Sequence, residues 1–120
     1  MKLIIKAALL AAAALSSATA ASAQEDLKVG AIYMDAQGFY AGVRKGIQDG
    51  AEEAGRNLVI VETNAQGDVS KESSFIDSLI SADVQAIIVS PVSADGSYRA
   101  IRRAHDAGIP VVCYNTCLNE

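Results

Sequence analysis

The sequence has few of the residues that carry chemistry in small proteins: two cysteines, one histidine and no tryptophan in 120 residues. Two cysteines are too few for a disulfide-framework miniprotein, and with the distant His105 they are too few for a zinc site. The sequence has no GxGxxG, GxxxxGK(S/T) or GxSxG motif, so nucleotide-binding and hydrolase signatures are missing. We therefore expect no enzyme activity, no cofactor and no metal.

Basic charge is also scarce. Ten Lys and Arg stand against fourteen Asp and Glu, which gives a net charge of -4. Two of the ten lie in residues 1–23; the eight that remain, against fourteen acids, leave a net charge of -6 for residues 24–120. An acidic chain without a basic run is a poor nucleic-acid binder, and so we expect no nucleic-acid partner.

Residues 1–23 have the pattern of an export signal. Two lysines precede the uninterrupted apolar run 7–15, and Ala-Ser-Ala at 21–23 is typical of a signal-peptidase site. A membrane anchor is the alternative, but the run is too short to span about 30 Å of hydrocarbon. We predict a cleavable signal peptide, cut between Ala23 and Gln24, and export to the periplasm. No later stretch approaches the length of a membrane span, so the mature chain is not expected to be membrane-embedded.

The mature chain alternates short apolar runs with helical patterns. Each run is continuously apolar and rich in β-branched residues, as in strands buried on both faces of a parallel sheet. The helical segments place apolar residues three or four apart, including Tyr98 and His105 on the stripe of the third. The predicted strands lie near 28–34, 58–63, 86–90 and 110–114, and the predicted helices at 39–55, 70–82 and 94–107.

Capping residues agree with these bounds. Asp68 or Ser70 can cap the second helix and Ser93 the third, while Gly55 and Gly108 follow two helix ends. The alternation predicts a doubly wound α/β domain with a parallel sheet, and one domain fits the length. In such sheets ligands bind beyond the carboxyl ends of the strands, which here are the loops 34–40, 64–68, 90–95 and 114–118.

The first of these loops offers the side chains that suit a sugar. Asp35 and Gln37 can pair with hydroxyl groups, and the rings of Phe39 and Tyr40 can pack on apolar C–H patches. Other interpretations stay open. The two rings could staple the helix start into the core, and Asp35 could cap a turn.

The third and fourth loops add further candidates. Ser90 is a strand-end hydroxyl expected to point outward with nothing to cap, whereas the loop 64–68 reads as solvated. Asn115 and Thr116 can hold a polyol, although Asn115 could also be an ordinary turn residue. Cys113 and Cys117 could form a disulfide through a turn, or stay free or otherwise paired.

The order of these elements resembles a known family. The chain is similar to the amino-terminal lobe of the periplasmic sugar-binding proteins of the ribose and galactose type, which feed ABC importers. The similarity rests on the order and spacing of six segments, 38–40 (GFY), 53–55 (EAG), 58–62 (LVIVE), 64–68 (NAQGD), 86–93 (AIIVSPVS) and 106–112 (DAGIPVV).

This resemblance implies two lobes joined by a hinge, with residues 24–120 forming an amino-terminal fragment of the first lobe. It places the aromatic pair that packs on the sugar at Phe39 and Tyr40, with Gln37 as a polar contact. The family's Asp-Arg pair falls on Asn115 and Thr116, which are neutral. That departure suggests a neutral sugar or polyol as ligand.

The implied partners are that ligand and an inner-membrane ABC permease, with a monomeric full-length protein. A receptor that presents a sugar-like signal to a chemosensor or sensor kinase is an alternative, and an exported enzyme is a less favoured one. A transcription regulator of this fold would carry a DNA-binding segment where the signal peptide lies.

Overall fold

Strands and helices alternate along the chain as the sequence predicts. The computed structural model describes residues 26–55 and 57–119, so the predicted signal peptide and its cleavage site lie outside the described residues. The elements are β1 (Leu27–Tyr33), α1 (Phe39–Glu53), β2 (Leu58–Asn64), α2 (Val69–Ser81), β3 (Ala86–Val89), α3 (Tyr98–Asp106) and β4 (Val111–Cys113).

The four strands form one parallel sheet in the order β2-β1-β3-β4. The chain therefore runs from β1 to β2 on one side of it, and then crosses to β3 on the other side. This change of direction creates a switch point between β1 and β3. Loops diverge at a switch point and leave a crevice at the carboxyl edge of the sheet. The doubly wound α/β class is confirmed, and the crevice sets where a ligand would bind.

The hydrophobic core lies between the sheet and the helix pair α2 and α3. Ile32 of β1 and Ile87 of β3 pack with Ile76 and Leu79 of α2, and all four are at most 2% exposed. Gly30 permits this approach, because a Cβ at its position would lie 2.5 Å from Leu79 Cδ1. β1 and α2 can therefore approach each other closely at Gly30, which has no side chain.

The opposite face of the sheet is covered only in part. Helix α1 has no fully buried residue, but its predicted apolar positions Val43, Ile47 and Ala51 are half-buried, so the apolar face is present and only partly covered. An ion pair joins it to the sheet: Arg44 Nη2 lies 2.5 Å from Glu62 Oε2 on β2. On β4, Val112 is 57% exposed. Contacts on this face are few, so α1 is held less firmly than α2 and α3.

The third helix differs most from its prediction. It begins at Tyr98 instead of residue 94, because residues 93–97 form a separate turn. In this turn Ser93 Oγ accepts a hydrogen bond from the Gly96 N–H at 3.0 Å, so Ser93 caps the turn and not the helix. The side chain of His105 is 74% exposed and Tyr98 is also exposed, so neither belongs to the buried stripe.

Smaller differences concern the other bounds. β1 begins one residue early, β2 ends one residue late, β3 stops before Ser90, and β4 is limited to Val111–Cys113. The cap of α2 is confirmed, since Asp68 Oδ1 accepts from the N–H groups of Ser70 and Lys71 at 2.7 and 3.1 Å. Gly55 and Gly108 take the left-handed φ of 62° and 81° that ends a helix.

The loop after β3 is anchored from within. Glu72 of α2 is fully buried, and its Oε2 accepts a hydrogen bond from the Val92 N–H at 2.7 Å. A buried carboxylate is costly without partners, so this bond fixes the loop against α2.

Among the described helices none combines the length and the apolar character that a bilayer crossing demands.

Candidate functional site

Two segments from opposite ends of the described chain meet at the carboxyl edge of the sheet. One is the loop 34–38 with the first turn of α1, where the Tyr40 N–H donates to the Gln37 carbonyl at 3.2 Å. The other is the turn 114–117 that follows β4. The candidate site is the surface where they meet, formed by Phe39, Tyr40, Asn115 and Thr116.

The aromatic side chains form a stepped row. Phe39 is 60% exposed, so its interpretation as a core residue is wrong. Its ring meets the edge of Tyr40 at a centroid distance of 5.3 Å and an angle of 80°. Tyr40 is half-buried, and its ring lies 6.5 Å from that of Tyr114. An exposed ring beside a half-buried one offers an apolar surface to a ligand.

A hydrogen bond joins the two segments. The Asn115 Nδ2–H donates to the Tyr40 hydroxyl at 2.9 Å, and that hydroxyl donates to Met34 Sδ at 3.3 Å. Asn115 has a φ of 61°, a left-handed conformation that asparagine tolerates. The bond uses one N–H of the amide, so the carbonyl oxygen and second N–H can serve a ligand.

The turn after β4 is closed by a disulfide between Cys113 and Cys117, whose Cα atoms lie 5.7 Å apart. At its entrance the Tyr114 N–H donates to the Val89 carbonyl at 3.0 Å, which continues the sheet one step past β4. Thr116 is half-buried in this turn. The turn thus presents Asn115 and Thr116 from a fixed base.

Sequence reasoning missed Tyr114 as a site residue. Its hydroxyl is buried, and among the described residues it has no hydrogen-bond partner. Burial, and to a lesser degree the neighbouring Tyr40, raises the pKa of Tyr114 to about 12. An aromatic residue between a strand and a polar turn was the available signal.

The remaining candidates do not touch Asn115 in the described structure, although Asp35 lines a cavity together with Tyr40. Asp35 is exposed, and its Oδ1 accepts from the Ala36 N–H at 2.5 Å, as a turn-capping residue does. Gln37 is exposed at the rim. Ser90 is 0% exposed and its hydroxyl has no partner within the described ranges, so the expectation that it points outward is wrong.

A cavity of about 330 Å³ lies between α1 and the ends of β1 and β2, and both Tyr40 and Asp35 line it. Within it, Tyr33 donates to Glu62 Oε1 at 3.1 Å, and Arg44 donates to Glu62 Oε2. The Arg44 guanidinium holds the pKa of Glu62 below its usual range. Burial, followed by the bond to Glu62, raises the pKa of Tyr33. Glu62 inside the apolar strand 58–63 was the sequence signal for this cluster, and it was not among the predicted site residues.

No group of three or more His, Cys, Asp or Glu side chains in residues 26–55 and 57–119 is arranged to hold a metal ion. The side chains of the candidate site itself offer hydrogen bonding and ring packing to a bound molecule.

Comparison with known proteins decides the family. A family model described as a periplasmic binding protein domain matches residues 29–119, which includes all seven strands and helices apart from the first two residues of β1. This chain belongs to the periplasmic binding protein family.

Relatives of this chain include an ABC transporter periplasmic-binding protein and a xylitol-binding protein. The chain is 55% identical over 113 residues to the ABC transporter periplasmic-binding protein YphF of Escherichia coli, covering 93% of this chain and 35% of that protein. It is 35% identical over 98 residues to a xylitol-binding protein of Mycolicibacterium smegmatis, covering 81% of this chain and 28% of that one.

A solved structure supports the same assignment. A Mycobacterium smegmatis protein in complex with β-D-fucofuranose matches with a TM-score of 0.69 and 28% identity, over 78% of this chain and 31% of that one. The chain thus spans about a third of the length of the proteins it matches. Both relatives are binding proteins, and the solved structure holds a bound furanose.

Proposed function

We propose that this chain is part of the first lobe of an exported receptor that binds a neutral sugar or polyol and delivers it to an ABC permease of the inner membrane. The observation that carries the proposal is the contact between Tyr40 and Asn115 at the carboxyl edge of the sheet. It brings an aromatic surface and a neutral amide together where sheets of this class bind ligands.

The aromatic and the polar side chains can contact different parts of the ligand. The exposed ring of Phe39 and the half-buried ring of Tyr40 can pack on the C–H face of a sugar, which binds through apolar contact. Asn115 and Thr116 can pair with hydroxyl groups, because an amide both donates and accepts. Gln37 and Asp35 are exposed and can add polar contacts, whereas the hydroxyl of Ser90 is buried.

The charge of the candidate site indicates the ligand class. Asn115 and Thr116 are neutral, and an unpaired charge buried in a closed site is costly. A neutral ligand therefore suits these two positions better than an acid sugar. The xylitol-binding relative and the furanose-bound structure support a small neutral polyol or non-pyranose sugar.

The location and architecture follow the family. We propose that residues 1–23 direct export to the periplasm and that residues 24–120 belong to one lobe of a two-lobe, monomeric protein. Closure of a second lobe over the candidate site would exclude water and add further hydrogen bonds to the ligand.

Thermal-shift screening of the full-length protein against a panel of neutral sugars and polyols tests this proposal. At least one compound is expected to raise the melting temperature, because a ligand that binds only the folded state stabilises it. Mass spectrometry of the ligand that co-purifies with the protein tests its charge. Loss of uptake of that compound on deletion of the receptor would support delivery to a permease. An anionic acid sugar as the only ligand would contradict the proposed class.

A further inference from the structure

The two ends of the turn after β4 lie closer together than an extended chain of the same number of residues would place them. Cys113 is the last residue of β4, and Cys117 lies four residues further on, yet their Cα atoms are 5.7 Å apart. Four extended residues would span about 13 Å. The disulfide therefore holds residues 114–116 in a turn that returns toward the strand.

This turn determines where Asn115 points. The Tyr114 N–H is bonded to Val89 at the entrance, and Asn115 adopts the left-handed φ of 61° at the tip. In this conformation the Asn115 amide reaches the Tyr40 hydroxyl at 2.9 Å, across a sequence separation of 75 residues. The disulfide and the contact across the site are thus parts of one arrangement.

We propose that the Cys113–Cys117 disulfide is a positioning element of the candidate site, which keeps Asn115 bonded to Tyr40 before any ligand arrives. The inference rests on the proposed function. Cys113 is half-buried and packs against the core, and we assign it no direct contact with the ligand. Its contribution is indirect: without the disulfide, residues 114–116 would have to be ordered on each binding event, and ordering costs affinity. An exported protein meets the oxidising conditions in which such a bond persists.

The first test needs no ligand. In the full-length protein, the NMR signal of the Asn115 side-chain amide is compared before and after Tyr40→Phe, which removes the hydroxyl that accepts from it. The same substitution is then made in a protein that carries Cys113→Ser and Cys117→Ser. Tyr98→Phe is the matched control, since Tyr98 lies on α3 outside the site.

We expect Tyr40→Phe to move the Asn115 amide signal in the disulfide-bonded protein and to move it little in the serine protein. Tyr98→Phe should move it in neither. Equal displacement in both backgrounds would overturn the proposal, because the contact would then form without the disulfide. Wild-type protein reduced with a phosphine and alkylated provides a second comparison if the serine protein does not fold.

The second test uses xylitol and D-ribose as probes. The double serine protein should bind whichever probe the wild type binds about tenfold more weakly. Tyr40→Phe should weaken binding in the disulfide-bonded protein and add little in the serine protein. Additive effects would overturn the positioning role. If neither probe nor any other neutral compound binds the wild type, the proposed function fails, while the NMR comparison still decides whether the disulfide positions Asn115.

Discussion

The ring of Tyr114 lies beside that of Tyr40, with centroids 6.5 Å apart and planes tilted by 59°. One ring comes from the start of α1 and the other from the residue after β4, so the two ends of the described chain share one aromatic contact. The two rings differ in role. Tyr40 reaches the surface beside Phe39, whereas the hydroxyl of Tyr114 is buried.

Tyr40→Ala in the full-length protein is expected to weaken ligand binding by about 1–3 kcal/mol, because it removes ring contact with the ligand. The melting temperature of the unliganded protein should change little, since Tyr40 is only half-buried. Calorimetric titration and thermal melting measure the two effects. Tyr98→Ala is the control for loss of a partly exposed tyrosine elsewhere. A large drop in melting temperature with affinity retained would make Tyr40 a core residue.

Asn115→Ala is expected to cost about 1–3 kcal/mol of affinity, because ligand hydroxyls would be left unpaired in a closed site. Asn115→Asp should cost less if those hydroxyls donate to residue 115, since the Tyr40 hydroxyl can turn and donate to the carboxylate. It should cost more if Asn115 donates to the ligand. Dissociation constants of both variants for the co-purified ligand distinguish these cases. An unchanged constant in both would leave Asn115 as an ordinary turn residue.

Tyr114 should make stability fall at alkaline pH. Its pKa is raised from 10.0 to about 12, so between these values the unfolded chain has released the phenolic proton and the folded protein retains it. The folded state therefore loses this contribution as the pH rises through that window. Denaturant midpoints across the window should decline less steeply in Tyr114→Phe than in the wild type. Identical slopes in the two proteins would contradict this contribution of Tyr114.

Gly30→Ala should destabilise the protein by about 1–3 kcal/mol, because the new methyl group would overlap Leu79 in a filled core. The two Cδ atoms of Leu79 lie 2.5 and 2.8 Å from the Cβ position. Gly42→Ala is a matched control on α1, where a Cβ would meet nothing within 4 Å. That substitution should stabilise the helix by about 0.5–1 kcal/mol. Denaturant unfolding measures both, and equal effects would argue against close packing at Gly30.

A polypeptide limited to residues 24–120 should bind the ligand weakly or not at all. The candidate site in this chain would supply one side of the binding site, and closure of the proposed second lobe would provide the other set of contacts. Titration calorimetry on this polypeptide, after circular dichroism has shown that it is folded, should detect no tight site. A dissociation constant close to that of the full-length protein would show that one lobe is sufficient.

The sequence predicts the sheet and its surroundings well because these depend on local patterns. Continuous apolar runs such as 86–90 are short enough to be strands, and Asp68 caps α2 as its position before the helix suggests. The carboxyl-edge loops then follow from the topology. Aromatic and amide residues could be assigned to those loops before their contacts were known.

Other features depend on contacts that no local pattern contains. Helix α3 starts late because Ser93 bonds within its own turn. Ser90 is buried because the loop after β3 is drawn against α2, where Glu72 binds Val92. The bond between Asn115 and Tyr40 joins residues 75 positions apart, and the cavity around Glu62 needs α1 to lie over β2. Each of these is set by tertiary packing.

The uneven packing of the two sides of the sheet has a consequence for local unfolding. Phe39 and Tyr40 stand on α1, a helix of 15 residues of which none is buried. Asn115 and Thr116 stand on a turn that a covalent bond closes. Segments with few buried contacts open at the smallest free energy. The start of α1, which carries Phe39 and Tyr40, can therefore open locally while the disulfide-closed turn that carries Asn115 and Thr116 keeps its conformation. The candidate site therefore combines a segment that opens easily with one that is held in place, and we expect α1, and not the turn, to adjust to the shape of a ligand.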